Sequence, residues 1–529
     1  MAGGTGANAE TLTLDGKRRR IDPKRLLPGL PALPAFAAIA IYLAMLPAAI
    51  TAANYSKDSG DFLTAALTGG VPHPSGYPTY ILLLKLFLGL PIGSNYFKGS
   101  LLSAVAAGLG VFFLAYLMAH RQKFTPAGIV GAVASGTAVA FAPLFWSQAV
   151  VVEVQALQAF FVVLALWWVT LLEEEGYSRS KKIGVVGLAW GFGLAVGNHL
   201  TILFLAPLVL VAARKASRNG LGIRWIAGQG IAFLAGCGVY LYLPFAAQHY
   251  PPVNWGNPQT MAGFWWTVSG AEYHGMLLGV PTAQLLNRLG NLGIQLINQF
   301  TVTGLLTAGA GVWWNRSRSN LFGWGIGWVF AVFSLFYLTY SSTDAVVYLI
   351  GAWIAVSIWI GNGAAAVWGK KNWRAPLGTL AGIAILAALI GRIPQGWVEV
   401  DPRRDTVTSN YLDIVLKRAP ENALVLTAAD ADTFPLWYGV FGNGLRKDLK
   451  VIVISLTQFE WYQETLRHTY LDLIYPPAGS DMEVWDRLGS LNPGRPVCSS
   501  ELVGGNLDKI KMTCDGNEIL NLDFSEKGN

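Results

Sequence analysis

The residues best suited to chemistry lie in one short segment, residues 54–80 (NYSKDSGDFLTAALTGGVPHPSGYPTY). Its two carboxylates, Asp58 and Asp61, are three residues apart, and on a helix this spacing puts both on one face. The pair could supply a general base, with the second acid orienting the molecule that gives up the proton. Ser59 and Gly60, between them, would let a substrate approach closely. An equal alternative is that Asp58 and Asp61 only begin a helix, because Asp is favoured both as an N-cap and in the first turn.

A second feature of this segment is the run HPSGYP at residues 73–78. Pro restricts the backbone and Gly frees it, so the run predicts a rigid turn. His73 could donate a hydrogen bond to a phosphate and Tyr77 could contact the same substrate, although a purely structural turn fits the residues as well. Lys57 and Lys85 flank the turn and are candidate cations for a phosphate.

Other polar residues that could reach a substrate are rare, because only eleven carboxylates precede Arg392. Glu153 lies in SQAVVVEVQALQ near the end of an apolar run, where a hydrogen bond between helices is the alternative role. Asn198 and His199 interrupt two apolar runs, so they could reach a phosphate or cap the next helix. Trp255, in NWGNP, could stack on a sugar or anchor the chain at a membrane interface.

The elements that must position these residues are membrane helices. The chain of 529 residues is 53% hydrophobic and 13% charged, with a mean hydropathy of +0.42, whereas soluble domains carry about 25% charged residues. Apolar runs long enough to cross a bilayer number about eleven: 33–53, 98–119, 125–145, 149–171, 183–197, 200–213, 224–246, 288–312, 321–340, 346–368 and 375–393. Residues 78–90 are shorter and predict an interfacial or re-entrant helix. The first run could instead be a cleaved signal, because the small residues of AITAA follow it.

The distribution of positive charge orients these helices. With the N-terminus in the cytoplasm, twenty Lys and Arg residues fall in cytoplasmic segments and four in outer loops or span edges, which is the bias expected of cytoplasmic loops. The same arrangement predicts a polar cavity on the outer side, formed around the carboxylates Asp58, Asp61, Glu153, Glu272 and Asp344. The short cytoplasmic loops also account for the net charge of +7, so no nucleic-acid partner is expected.

Polar segments flank the membrane region. Residues 1–30 predict a disordered cytoplasmic tail, residues 31–393 a membrane catalytic domain and residues 394–529 an extracytoplasmic α/β domain. In the last of these, 423–427 and 450–455 read as buried strands, and 404–418 and 458–470 as helices.

Two short patterns in this last domain allow alternatives. Asp430 and Asp432 form a D-x-D pair that could hold a divalent metal, although Asp432 could equally cap a helix. No metal site and no cofactor is assigned, and a divalent metal stays an open alternative. Cys498 and Cys514 could form a disulfide outside the cytoplasm, two free buried thiols being the alternative.

The segment DSGDFLTAALTGGVPHPSGYPTY resembles the first outer loop of the protein O-mannosyltransferase-like family, a member of the GT-C superfamily of membrane glycosyltransferases. The segments LFWSQAVVVEVQALQAFF, GLAVGNHLTIL, YLYLPFAAQHYPPVNWGNP and ADADTFPLWY resemble later blocks of that family in the same order. The resemblance covers about residues 36–440. It departs from the family at Asp61, where the acid is often one methylene longer, and at Ser75, where Pro is common.

The resemblance implies an all-α, polytopic GT-C-like membrane protein that acts at the outer face of the bilayer. The donor would be a polyprenyl-phosphate sugar, with mannose as the sugar, and the acceptor a hydroxyl on a protein or other molecule. Asp58 occupies the position of the family's catalytic acid, and Asp61 is the second acid. Attack assisted by a carboxylate base would invert the anomeric configuration. The candidate phosphate ligands are His73, Lys57, Lys85 and His199, and the candidate substrate contacts are Tyr77, Glu153, Asn198 and Trp255.

Two other classes of membrane protein are alternatives to an enzyme. A transporter or lipid flippase predicts ionisable groups or broken helices near the bilayer midplane and two related halves, and the sequence shows neither a repeat nor a midplane charge. A non-catalytic scaffold or receptor is the other alternative. Consumption of a labelled lipid donor without net transport would distinguish the enzyme from both.

Overall fold

The computed structural model describes residues 27–315, 320–369, 375–480, 482–485, 487–503 and 509–523. Helices make up most of the chain as far as Val400, and a small mixed sheet follows. The α-helices are α1 (Leu33–Leu43), α2 (Ser59–Thr68), α3 (Pro78–Leu88), α4 (Asn95–Arg121), α5 (Pro126–Ala140), α6 (Pro143–Ala149), α7 (Gln155–Glu173), α8 (Arg179–Val196), α9 (Ala206–Arg218), α10 (Ile223–Cys237), α11 (Tyr242–Ala247), α12 (Met261–Ser269), α13 (Thr282–Asn315), α14 (Leu321–Thr339), α15 (Ile350–Trp368), α16 (Ala375–Ile390), α17 (Ile393–Val400), α18 (Val407–Arg418), α19 (Asp430–Trp437), α20 (Glu460–Thr469), α21 (Met482–Trp485) and α22 (Leu488–Leu491). The strands are β1 (Leu424–Thr427), β2 (Lys450–Val453), β3 (Val497–Val503), β4 (Lys509–Cys514) and β5 (Asn517–Asp523).

The chain is a multi-pass membrane protein, but the predicted number of eleven spans is not confirmed. Within the described ranges, seven helical segments are long and apolar enough to cross a bilayer, and α5 with α6 would make eight if the bent pair is one span. The 69° bend between those two helices occurs where Pro143 begins α6, because proline cannot continue the preceding helical hydrogen bonds. Helix α3 has 11 residues, fewer than the roughly 20 that a crossing needs, in agreement with the expectation for residues 78–90.

The N-terminal end of the described chain adds to the bundle. Residues 1–26 of the predicted disordered tail lie outside the described residues. The last four residues of that predicted tail fall within the 3-10 helix Leu27–Ala32, and the hydroxyl of Tyr116 donates a hydrogen bond of 2.9 Å to the Pro28 carbonyl. Residues 27–30 therefore pack on α4.

Close contacts between bundle helices depend on glycine. A Cβ atom added at Gly193 in α8 would lie 2.2 Å from the Phe233 carbonyl oxygen, and one at Gly236 in α10 would lie 2.2 Å from the Trp190 oxygen. The same relation holds between Gly311 of α13 and α15, where the added atom would lie 2.0 Å from a carbonyl oxygen. Small residues let the backbones of membrane helices approach in this way.

The C-terminal part is an α/β unit built on one five-stranded sheet. The strand order is β2-β1-β3-β4-β5, with β1 parallel to β2 and β3, and with β3, β4 and β5 antiparallel. The predicted strands appear as β1 and β2, and the predicted helices as α18 and α20. Cys498 of β3 faces Cys514 of β4 in the register and is bonded to it, so the predicted disulfide is confirmed.

This α/β unit docks against the loop that precedes α2. Asp405 Oδ2 accepts a hydrogen bond of 2.5 Å from the Thr51 hydroxyl, and bonds of 3.0 Å from the backbone N–H groups of Ala52 and Ala53. The amide of Asn54 donates to the Val400 carbonyl at 2.9 Å. The C-terminal unit therefore fixes the backbone that leads to Asp58.

Helices α2 and α19 approach each other at Gly60. A Cβ atom there would lie 2.3 Å from the carbonyl oxygen of Phe434, so any larger residue would force the two helices apart. At Gly60, the close approach is made by the backbone of α19. Gly60 thus brings the C-terminal unit to the start of α2.

Candidate active site

A cavity of about 1,010 Å³ lies where the first loop, one end of the bundle and the C-terminal unit meet. Five of the predicted site residues line it: Lys57, Asp58, His73, Tyr77 and His199. Five do not: Asp61, Lys85, Glu153, Asn198 and Trp255. The structure thus separates the sequence candidates into residues that can touch a ligand and residues that lie outside the cavity wall.

Asp58 is the carboxylate of the first-loop pair that faces the cavity. It occupies the N-cap position of α2, but its side chain makes no capping hydrogen bond. Its side chain is 30% exposed, and the exposed part opens onto the cavity. Asp58 is therefore available to a ligand, and the capping alternative does not describe its side chain.

Asp61 is fully buried and its oxygens are taken by protein donors. Oδ2 accepts hydrogen bonds from the backbone N–H of His73 at 2.9 Å and from the His73 ring Nδ1 at 2.7 Å. Oδ1 accepts one of 3.2 Å from the indole N–H of Trp255. With these partners and 0% exposure, Asp61 presents no surface to the cavity.

His73 lies between the two carboxylates. Its Nδ1 bonds Asp61, and its Nε2 is 3.6 Å from Asp58 Oδ2. Both ring nitrogens therefore face carboxylates, while the residue also lines the cavity, so the binding of the donor phosphate by His73 stays a prediction. The ring is also packed between aromatic side chains, including Phe62 at 5.1 Å and Tyr77 at 5.0 Å between ring centroids.

The surroundings change the acidity of this pair. Burial raises the pKa of Asp58 to about 7, with further increases from the charges of Asp430 and Asp344 and a partial decrease from His73. Burial lowers the pKa of His73, but the carboxylates of Asp58 and Asp61 outweigh it and raise that pKa to about 9. At neutral pH the imidazole of His73 thus carries a positive charge beside Asp58.

Three other predicted phosphate ligands differ in position. Lys57 is exposed, lines the cavity and has no ion pair within the described residues. His199 accepts a hydrogen bond at Nδ1 from the Thr201 backbone N–H at 3.2 Å, and burial lowers its pKa to about 4, so it is a neutral group whose Nε2–H can donate. The Lys85 ammonium instead lies 5.1 Å from the centre of the Tyr242 ring, outside the cavity lining.

Of the four predicted substrate contacts, only Tyr77 lines the cavity. Glu153 is buried and accepts a hydrogen bond of 2.7 Å from the Val154 backbone N–H. The amide of Asn198 is 3.4 Å from the Val154 carbonyl. The indole of Trp255 donates to Asp61. These three side chains are bonded within the protein and lie outside the cavity lining, and their contact with a substrate stays a prediction.

Part of the cavity wall consists of residues that were not predicted from the sequence. Tyr273, Tyr340 and Tyr348 line it and come from segments in which nothing but ordinary aromatic residues marks a site. Asp344, one of the five carboxylates around which the sequence predicts an outer cavity, lines it as well. A tyrosine combines an apolar ring with a polar hydroxyl, so this part of the wall can contact both apolar and polar parts of a ligand.

Asp430 and Asp432, the two residues of the D-x-D pair, have different surroundings. Asp430 lines the cavity, whereas Asp432 Oδ2 accepts a hydrogen bond of 3.0 Å from the Ala428 backbone N–H and Oδ1 one of 3.2 Å from that of Ala429. Asp432 is the third residue of α19, and its side chain caps the start of that helix, as one of the two alternatives proposed. In the part of the chain that the structure describes, no group of three or more His, Cys, Asp or Glu side chains is placed to hold a metal ion.

Comparison with known families gives two matches. The family model described as "Protein O-mannosyl-transferase TMEM260 N-terminal domain" matches residues 58–219, and that described as "TMEM260-associated domain 2" matches residues 405–472. The first match thus begins at Asp58, and the second at Asp405.

Two curated relatives carry the same description. Protein O-mannosyl-transferase TMEM260 of Mus musculus is 25% identical over 430 residues, covering 77% of this chain and 60% of that protein. Its counterpart in Dictyostelium discoideum is 23% identical over 476 residues, covering 79% of this chain and 57% of that protein. The chain spans about three fifths of the length of these relatives.

Solved structures give the fold. ArnT from Cupriavidus metallidurans bound to undecaprenyl phosphate superposes with a TM-score of 0.58 at 13% identity, covering 89% of this chain and 93% of that one. The archaeal oligosaccharyltransferase AglB from Archaeoglobus fulgidus, in complex with an inhibitory peptide and a dolichol-phosphate, gives 0.51 at 10% identity, covering 90% and 70%. The fold is that of GT-C proteins, and the predicted resemblance to the protein O-mannosyltransferase-like family is confirmed.

Proposed function

We propose that the chain is a membrane glycosyltransferase that moves mannose from a polyprenyl-phosphate donor to a hydroxyl group on a protein. The observation that carries this proposal is the placement of Asp58. It is a carboxylate without a capping bond, exposed to a large cavity beside the cation Lys57. A base and a cation at one cavity suit a reaction that removes a proton from an acceptor and develops charge on a phosphate.

The relatives and the fold support the choice of substrates. The curated relatives are described as protein O-mannosyl-transferases, which favours mannose and a protein acceptor. The solved structures of the same fold hold undecaprenyl phosphate and dolichol-phosphate, which favours a polyprenyl-phosphate donor. A donor delivered by the membrane also suits a cavity at the end of a helical bundle.

The proposed reaction is a single displacement. Asp58 accepts the proton of the acceptor hydroxyl as its oxygen bonds to the anomeric carbon, and the bond from that carbon to the phosphate oxygen breaks on the opposite face. The product sugar is inverted, and the leaving group is polyprenyl phosphate. Lys57 and the Nε2–H of His199 stabilise the charge on the phosphate.

The proposed orientation puts the cavity outside the cytoplasm. The twenty-to-four distribution of Lys and Arg supports a cytoplasmic N-terminus. The disulfide between Cys498 and Cys514 fits an oxidising compartment for the C-terminal unit.

The test is transfer by the purified full-length protein in lipid nanodiscs. Polyprenyl-phosphate mannose labelled in the sugar is supplied with a Ser/Thr-containing peptide, and polyprenyl-phosphate glucose and a nucleotide-linked mannose serve as control donors. We expect labelled mannose on the peptide and free polyprenyl phosphate with the lipid-linked mannose alone. Intact donor, or donor that crosses the bilayer without transfer, would contradict the proposal.

A further inference from the structure

We propose that His73 is a positioning residue whose charge keeps Asp58 ionised for proton abstraction, and that Asp61 and Trp255 hold His73 in place. This inference rests on the proposed function for the role of Asp58 as base. It is an alternative to the prediction that His73 is a ligand of the donor phosphate. It also gives Asp61 a purpose that needs no contact with substrate.

The first step is the anchoring of His73. One oxygen of Asp61 accepts hydrogen bonds from both the ring Nδ1, at 2.7 Å, and the backbone N–H of His73, at 2.9 Å. Trp255 donates to the other oxygen at 3.2 Å. These two bonds to one oxygen of Asp61 fix both the ring and the backbone of His73. Asp61, which lies outside the cavity lining, therefore sets the direction in which Nε2 points.

The second step is that the positive charge of His73 lies between the carboxylates of Asp61 and Asp58. An ionised carboxylate with no exposure to solvent is costly unless a cation or several donors accompany it. Asp61 meets this condition with His73 as an imidazolium, because Nδ1–H then donates to Asp61 while Nε2–H points to Asp58 at 3.6 Å. That separation is an ion-pair distance and longer than a hydrogen bond, so the effect of His73 on Asp58 is electrostatic.

The third step is the balance of groups around Asp58. Acids outnumber cations there, so the base would be protonated without a nearby positive charge. The titratable and charged groups that face it from all packed elements are the acids Asp61, Glu153, Asp344 and Asp430, the phenols Tyr77, Tyr273 and Tyr340, and the cations Lys57 and His73. Within the described residues, His73 is the cation that lies at ion-pair distance from Asp58, at 3.6 Å.

The consequence is a dependence of activity on pH. A base works only when deprotonated, and the pKa of Asp58 is about 7 in the intact site, so transfer should fall as the pH drops through neutrality. Loss of the His73 charge raises the pKa of Asp58 further. A unit charge at 3.6 Å corresponds to a displacement of roughly one to three pH units for effective dielectric constants between water and a protein surface.

The test compares pH profiles of transfer for the intact protein and for His73→Asn. Asparagine can keep a neutral donor near the position of Nδ1 but carries no charge and does not reach Asp58. We expect the acid limb of kcat/KM to move to higher pH by one to three units. Turnover should be recovered at alkaline pH, and the KM for the donor should change little.

A second variant protects the test against misfolding. His73→Asn leaves Asp61 as a buried anion without its cation, so the double variant His73→Asn/Asp61→Asn removes both charges. We expect the melting temperature of the double variant to be closer to that of the intact protein than the melting temperature of His73→Asn is. Its acid limb should still lie at a higher pH than that of the intact protein, because the effect of His73 on the pKa of Asp58 exceeds that of Asp61.

Two results would overturn the inference. An unchanged acid limb with a raised KM for the donor would make His73 a ligand of the phosphate. An unchanged pH profile with only a lower melting temperature would leave His73 a packing residue. Failure of the proposed function is separate, since it appears as absent transfer by the intact protein or as normal transfer by Asp58→Asn.

Discussion

The contact between Asp405 and the first loop predicts that the C-terminal unit is needed for turnover. Replacing Asp405 by alanine removes the acceptor of three hydrogen bonds from the first loop, donated by the Thr51 hydroxyl and by the N–H groups of Ala52 and Ala53. It also removes the acceptor of one bond within the C-terminal unit, from the Val407 N–H. The three donors of the first loop lie a few positions before Asp58 in the chain. The loop should therefore relax and displace the base, although Asp405 itself takes no part in the proposed displacement.

The size of the effect follows from these bonds. Hydrogen bonds to a charged group contribute about 1.5–3 kcal/mol each, but these three share one carboxylate oxygen at a half-buried position. We therefore expect the free energy of unfolding to fall by about 2–4 kcal/mol. A displacement of the base by about 1 Å would lower kcat by about ten- to a hundredfold.

The assay measures thermal unfolding and steady-state transfer for Asp405→Ala beside a matched control. Asp413 is exposed on α18 of the same unit and has no ion pair among the described residues, so Asp413→Ala should change the free energy of unfolding by less than about 0.5 kcal/mol. The reasoning is refuted if the two variants are equal in both stability and kcat.

Three further outcomes are expected. Replacing both Cys498 and Cys514 by serine should lower the stability of the C-terminal unit by about 3 kcal/mol, measured by denaturant unfolding; two free thiols in peptide mapping of the exported protein would contradict the bond. Cysteines introduced at Ser180 and Ser480, after Cys237→Ser, should be labelled from opposite sides of the membrane, and labelling from one side would reject the proposed orientation. Lys57→Gln should raise the KM for the donor by about ten- to a hundredfold through loss of a charged contact, whereas Lys98→Gln, outside the cavity lining, should not; equal effects would remove Lys57 from the phosphate site.

The fold class could be predicted because its signals are local. Long apolar runs and few charges indicate membrane helices, and the strands β1 and β2 contain the apolar runs LVL and VIV. The number of spans could not be predicted in the same way, because Pro143 bends one run and the first run ends as a helix at Leu43. Strand β5 (NEILNLD) has two adjacent apolar residues, Ile519 and Leu520, and no regular alternation along its length. All its residues but one are exposed, so it was not predicted as a buried strand.

The site was only partly predictable for a related reason. Asp58 and Asp61 stand out in a chain with few carboxylates, but their spacing does not tell which one faces the cavity. That distinction depends on Trp255, which is 194 residues from Asp61 in the chain, and on the turn that carries His73. Asp430 reaches the cavity only because the C-terminal unit docks on α2 at Gly60.

The most direct test of the account is the transfer rate of Asp58→Asn, measured beside Asp61→Asn with labelled polyprenyl-phosphate mannose and peptide. Asparagine keeps the shape of the side chain but cannot act as a base, so we expect Asp58→Asn to bind the donor and to lose about 10²–10⁴-fold in rate at every pH. Asp61→Asn should keep measurable turnover, because Asp61 acts through His73. Near-normal transfer by Asp58→Asn would contradict the central claim, and loss of transfer in Asp61→Asn alone would move the base to Asp61.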